Sequence, residues 1–189
     1  MIDLDVPDGA SMVAVLLHPH PDMGGDRHNH VVGALYQALP RAGFGAACFD
    51  FSSSDISRAV ADTTSAIDAV EQDAPGTTVV IVGYSFGAMV ATQVTDQRVA
   101  GWFLVAPPLA HAPATTIGND PRPKGIAAAE HDAYTSPAQV DDITTAWTAT
   151  ERVVIPGADH FLGGHTRIVV DHVTAWLVNL TRDVGTSPA

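Results

Sequence analysis

Gly83-Tyr84-Ser85-Phe86-Gly87 sets a serine between two glycines. The apolar run 78–82 (TVVIV) lies just before it and the small-residue run AMVATQV just after. A serine held in so tight a strand-to-helix turn projects its hydroxyl from the sheet, and glycines on either side remove side chains that would clash. The following helix would aim its positive end and free N–H groups at that hydroxyl. A serine hydroxyl is a weak nucleophile at neutral pH and needs a general base. Two later segments offer one: Glu130-His131-Asp132, and Pro156-Gly157-Ala158-Asp159-His160. In the order Ser85, Asp132, His160, the histidine would take the serine proton and later return it to a leaving group. The aspartate would set the imidazole tautomer and stabilise its charged form. Asp159 is a poor partner for His160, because neighbouring side chains diverge. With nine histidines in the chain, His131, His165 and His172 read as solvated or structural. Glu130 reads as still on the strand.

A second conspicuous stretch is His18-Pro19-His20-Pro21-Asp22-Met23-Gly24-Gly25-Asp26-Arg27-His28-Asn29-His30. Its two His-x-His pairs and its aspartates have the donor types of a metal site. Its two prolines and two glycines suit a shaped backbone loop at least as well. No metal and no cofactor is expected.

These groups need a scaffold that brings them to one edge. Short apolar β-rich runs at 12–18, 45–51, 78–82, 99–105, 125–129 and 152–155 alternate with helical patterns. The helices are read from Val32, Leu35, Tyr36 and Leu39; from Ile56, Val60, Thr63, Ile67 and Val70, capped by Ser53 or Ser54; from the turn at Ser85 through Val94; over 137–148; and from Val169, Val173, Trp176, Leu177 and Leu180. Strands this hydrophobic, separated by helices, imply a parallel sheet covered on both faces. The expectation is one three-layer α/β domain over 1–189, with about six parallel strands, and frayed ends at 1–10 and 183–189. Residues 107–123 read as loop, too short for a folded cap.

Composition narrows the partners. The chain has 189 residues, 46% hydrophobic and 16% charged, with mean hydropathy +0.14. That composition excludes disorder as the main state. Nine basic against 21 acidic residues give −12, and 18 of the acids are Asp while the one lysine is Lys124. Such a field repels phosphate and anionic lipid, so neither nucleic acid nor a membrane surface is expected as partner. One cysteine, Cys48, can form neither an internal disulfide nor a thiolate metal site. No run reaches the roughly 18 apolar residues of a membrane helix, and MIDLDVPDGA lacks a basic leader pattern. A cytoplasmic setting is expected; oligomeric state is not legible.

The runs LLHPHPDMGGDRHNHVV, GYSFG, AEHDAYTSP and IPGADHFLGG, in that order, resemble a small bacterial branch of the α/β-hydrolase superfamily. That branch is similar to dienelactone-hydrolase-like proteins, with serine in place of cysteine at the turn. The resemblance spans about residues 12–180 and implies the α/β-hydrolase fold. It implies Ser85 as nucleophile, Asp132 as acid and His160 as base, with part of the oxyanion hole in the HPHP loop. One donor N–H is expected from Phe86. Pro19 and Pro21 have no N–H and that of His18 is expected in the strand ladder, leaving His20 for the second. His18, Met23, Tyr84 and Phe161 are the expected substrate-lining side chains. The implied activity is cleavage of a small carboxylic ester or thioester through an acyl-enzyme. Lactone or C–C bond hydrolysis and acyl transfer use the same groups, and a catalytically idle binding protein is the rival outside catalysis. After the second strand the chain reads FDFSSSD, where the family usually has an Arg-Gly loop, so the pocket wall there is expected to differ.

Overall fold

The computed structural model describes residues 1–185. Seven strands form one sheet in the order β1-β3-β2-β4-β5-β6-β7. They are β1 (Ile2–Asp5), β2 (Met12–Leu17), β3 (Gly45–Phe49), β4 (Thr78–Tyr84), β5 (Val99–Val105), β6 (Lys124–Ala129) and β7 (Thr150–Ile155). All neighbours are parallel except β1, which runs antiparallel to β3. The helices are α1 (His30–Ala38), α2 (Ile56–Asp73), α3 (Phe86–Ala91), α4 (Pro137–Thr144) and α5 (Thr166–Gly185).

The two cores follow from strand alternation. Met12, Ala14 and Leu16 of β2 face a cluster completed by Val32 and Leu35 of α1 and Val173 and Leu177 of α5. Val13, Val15 and Leu17 face the other cluster, with Ile67 and Val70 of α2, Val90 of α3 and Val140 of α4. A strand buried on both faces needs apolar residues at consecutive positions, which is why these strands read as unbroken runs.

The first ten residues are not frayed throughout. Ile2–Asp5 pairs with Phe49 to Ala46 of β3. Ile2 and Leu4 pack on the second cluster, and the Arg27 guanidinium meets the Asp3 carboxylate at 3.2 Å. The expected fraying of 183–189 lies in part outside the described residues: α5 continues to Gly185, and 186–189 are not described. Asp55, rather than Ser53 or Ser54, caps α2 by accepting from the Arg58 N–H at 2.9 Å. The Ser54 hydroxyl instead donates to Asp22 at 2.6 Å, tying the FDFSSSD segment to the HPHP loop. Between β5 and β6 there is one short 3₁₀ turn, Leu109–His111, and no cap domain. Among the described residues, no helix is long and apolar enough to cross a membrane.

Cys48 is buried within β3. Burial, reinforced by the nearby negative charge of Asp3, pushes its thiol up to about 11. The thiolate is the reactive form. Native protein at pH 8 is therefore expected to leave a disulfide reagent such as DTNB unconsumed, and guanidinium-unfolded protein to consume one equivalent. Rapid labelling of the native chain would contradict the burial.

Candidate active site

Ser85 stands between the end of β4 and the first residue of α3 with φ 54° and ψ −115°, a left-handed backbone that a non-glycine residue adopts only under constraint. The flanking glycines supply that constraint through close packing. A β-carbon on Gly83 would lie 2.3 Å from the Gly87 carbonyl oxygen, and one on Gly87 would lie 2.3 Å from that of Leu17. The turn is thus backbone packed on backbone, against the end of β2. Gly87→Ala is expected to destabilise the protein by about 1–3 kcal/mol through overpacking and to lower kcat by displacing α3. Thermal midpoint and kcat measured together test this, and an unchanged value of both would refute it. The helix itself is shorter than expected, ending at Ala91 instead of Val94.

The Ser85 hydroxyl lies 2.8 Å from His160 Nε2. The other ring nitrogen of His160, Nδ1, lies 2.8 Å from Asp132 Oδ2. Both side chains are buried, the imidazole 8% exposed and the carboxylate 2%. Asp132 follows β6 by three residues, and its Oδ1 accepts the N–H groups of Tyr134 at 2.8 Å and Thr135 at 3.3 Å. This short loop, in which Asp bonds the backbone two and three residues on, orients the carboxylate. Asp159 does not bond His160; its Oδ1 accepts the Phe161 N–H at 3.0 Å. Glu130 is one residue past β6, not on it, and its carboxylate accepts the Gly157 N–H at 2.7 Å. The Tyr84 hydroxyl donates to the His160 carbonyl at 2.9 Å, which ties the base-bearing loop to the strand carrying the serine. Burial raises the Tyr84 pKa, so that hydroxyl stays a donor.

A cavity of about 480 Å³ opens above these groups. Ser85, His160, His20 and Phe86 line it, as do Met23, Tyr84 and Phe161. Met23 is 69% exposed and Phe161 60%, so both stand at its mouth. His18 is not among the lining residues, contrary to expectation. It is 1% exposed, with Nδ1 2.6 Å from the Pro19 carbonyl oxygen and Nε2 accepting the Phe51 N–H at 2.9 Å. Both ring nitrogens are committed to backbone, since the strand ends one residue earlier and the His18 side chain turns inward. His20 and Phe86 meet ring to ring at 4.9 Å. The Phe86 N–H, at the first position of α3, has no intrahelical acceptor. Among the described residues, no group of three or more His, Cys, Asp or Glu side chains is arranged to hold a metal ion.

Sequence reasoning missed Tyr134, His30, His111, Asn29 and Met89, all on the cavity wall. The Tyr134 ring lies 4.3 Å from that of His160. Its position two residues after the orienting aspartate was the available signal. His111 and Met89 come from separate segments and carried none.

A mostly parallel sheet flanked by helices, with a serine on a strained turn at the carboxyl end of a central strand, defines the α/β-hydrolase fold. The alpha/beta hydrolase family model matches residues 14–185, and the chain belongs to that family. It is similar to the structure of an alpha-beta serine hydrolase homologue from Coxiella burnetii, at 27% identity and TM-score 0.83, over 93% of this chain and 90% of that one. A serine hydrolase without a lid from Xanthomonas campestris shares the fold at 20% identity and TM-score 0.81, over 100% and 90% of the two chains. An uncharacterized protein of Rickettsia prowazekii is 25% identical over 188 residues, 89% of this chain and 79% of that protein.

Proposed function

We propose that this protein is a serine hydrolase that cleaves uncharged carboxylic esters or thioesters through an acyl-enzyme. The observation that carries the reading is the continuous line Ser85 hydroxyl, His160 imidazole, Asp132 carboxylate, with both links at 2.8 Å, at a cavity wall. The name of the Coxiella burnetii relative, a serine hydrolase homologue, is consistent with it. A carboxylate only accepts hydrogen bonds, so the proton of His160 sits on Nδ1 and Nε2 is free to take the serine proton. Ser85 Oγ then bonds to the substrate carbonyl carbon, and the carbonyl oxygen gains the negative charge. The N–H groups of Phe86 and His20 are the proposed donors to that oxygen. Collapse breaks the bond to the alkoxide or thiolate, which leaves with the proton held on His160. Water, giving a proton to the same nitrogen, attacks the acyl-enzyme; the bond to Ser85 Oγ then breaks, His160 returns the proton to Oγ, and the acid is released.

Substrate charge follows from the wall. Among the described residues, no Lys, Arg, Asp or Glu lines the cavity, so a charged acyl group would lose its hydration without a permanently charged partner. A panel of p-nitrophenyl esters of graded chain length, with one thioester and one ester ending in a carboxylate, tests the proposal. Short neutral acyl chains are expected to have the highest kcat/KM, and the carboxylate-ended ester is expected to fall more than tenfold below its neutral counterpart, a factor of about 1.4 kcal/mol. An organophosphonate probe should label Ser85. Failure of that label, with no turnover of any ester, would overturn the reading.

A further inference from the structure

The loop after β2 contains a buried histidine that the hydrolytic chemistry does not use. His18 is held between two backbone groups. The Phe51 N–H points at Nε2 at 2.9 Å, so Nε2 accepts and the proton of a neutral ring resides on Nδ1. That proton faces the Pro19 carbonyl oxygen at 2.6 Å. The ring also packs on Phe51, with centroids 4.5 Å apart. Burial favours the neutral form by lowering the pKa, against the pull of the Asp50 and Asp26 carboxylates.

The Pro19 carbonyl belongs to the same peptide plane as the His20 N–H. That peptide is trans, so the two groups point in opposite directions within the plane, and fixing one fixes the other. The next peptide is held as well: the His20 carbonyl accepts the N–H groups of Met23 at 3.1 Å and Gly25 at 3.0 Å. Gly25 leaves room for the Pro19 oxygen, since a β-carbon there would approach it to 2.2 Å. A Pro19–His20 plane free to rotate would set an oxygen where a donor is needed.

We infer that His18 is the positioning residue of the oxyanion hole: its Nδ1–H holds the Pro19 carbonyl and so keeps the His20 N–H turned to the oxygen that develops beside Ser85. The inference rests on the reading of Ser85 as nucleophile. It separates the two histidines of the HPHP motif by task, the first holding the peptide plane and the second supplying its N–H.

Two substitutions divide the two bonds of the ring. In His18→Asn the amide nitrogen takes the place of Nδ1 and still donates to Pro19. In His18→Gln the longer amide reaches the place of Nε2 and still accepts from Phe51, but the Pro19 contact is lost. His18→Gln is expected to lower kcat on a p-nitrophenyl ester about 10²–10³-fold, the loss typical of one oxyanion donor. KM should stay near the wild-type value, and a boronic acid that forms a tetrahedral adduct on Ser85 should bind more weakly by a similar factor. His18→Asn should retain kcat within about tenfold, the smaller loss expected when the donor survives. Gly25→Ala, which reaches the Pro19 oxygen without touching the ring, should reproduce the kcat loss. Thermal midpoints are recorded for all three. Wild-type kcat in His18→Gln or Gly25→Ala, or activities that merely follow the midpoints, would overturn the role of His18. Hydrolysis that persists in Ser85→Ala would overturn the reading of the site, and this inference with it.

Discussion

Ser85→Ala is expected to lower kcat by about 10⁴ to 10⁶ while leaving the fold intact. The size follows from the way a nucleophile and its base act as a unit: with the hydroxyl gone, His160 has no proton to take and the remaining groups can only bind substrate and polarise it. The fold should tolerate the change because the strained backbone of Ser85, φ 54°, is enforced by the contacts of Gly83 and Gly87 with neighbouring backbone, not by the hydroxyl. The hydroxyl makes one hydrogen bond, to His160. A thermal midpoint near that of the wild type, with turnover reduced to background, is the expected pair of results. Residual turnover within tenfold of the wild type would remove Ser85 from the mechanism.

Asp132→Asn is expected to lower kcat about 10⁴-fold, the cost of presenting the base in the wrong tautomer. The wall around Asp132 decides which way the new amide points. The N–H groups of Tyr134 and Thr135 both face Oδ1, so the amide oxygen must remain there. The NH₂ group is then forced toward His160 Nδ1, where the carboxylate oxygen stood at 2.8 Å. A donor at that place makes Nδ1 an acceptor and moves the ring proton to Nε2, facing the Ser85 hydroxyl. The base is then blocked without any loss of packing. Asp159→Asn is the control. Its carboxylate caps only the Phe161 N–H, and the change should alter kcat by no more than a few-fold. Equal losses in the two variants would show that charge near His160, not tautomer control, is what Asp132 supplies.

Of the largely exposed edge strand β7, TERVVI, the sequence shows only 152–155; the strands from β2 to β6 are legible because a strand with helices on both faces must be apolar at successive positions, a property local to the run itself. β1 is not. Its four residues, IDLD, alternate apolar and acidic, as suits an edge strand with one face on the core, and four residues cannot announce an edge partner that lies more than forty positions away. The cap of α2 shows a similar limit over a shorter range: Ser53, Ser54 and Asp55 are all capping types, and the fold assigns Asp55 to the helix because Ser54 is drawn away to Asp22.

The same division runs through the site. Ser85 and its glycines form a local signal, since the turn lies within five consecutive residues, and the sequence alone determined that a serine would be presented at a strand end; that Gly87 must clear the Leu17 carbonyl was decided by packing against β2. The pairing of Asp132 rather than Asp159 with His160 also followed from local geometry, because adjacent side chains diverge. What His18 does was decided only by tertiary structure. As a chemical type it fits a ligand, a pocket wall or a buried anchor equally well, and the choice depends on the Phe51 N–H, 33 residues onward, which arrives beside it only because β3 packs next to β2. The cavity wall was decided likewise. Met89, His111 and Tyr134 meet there from three separate connections, and no periodicity within any one of them encodes that meeting.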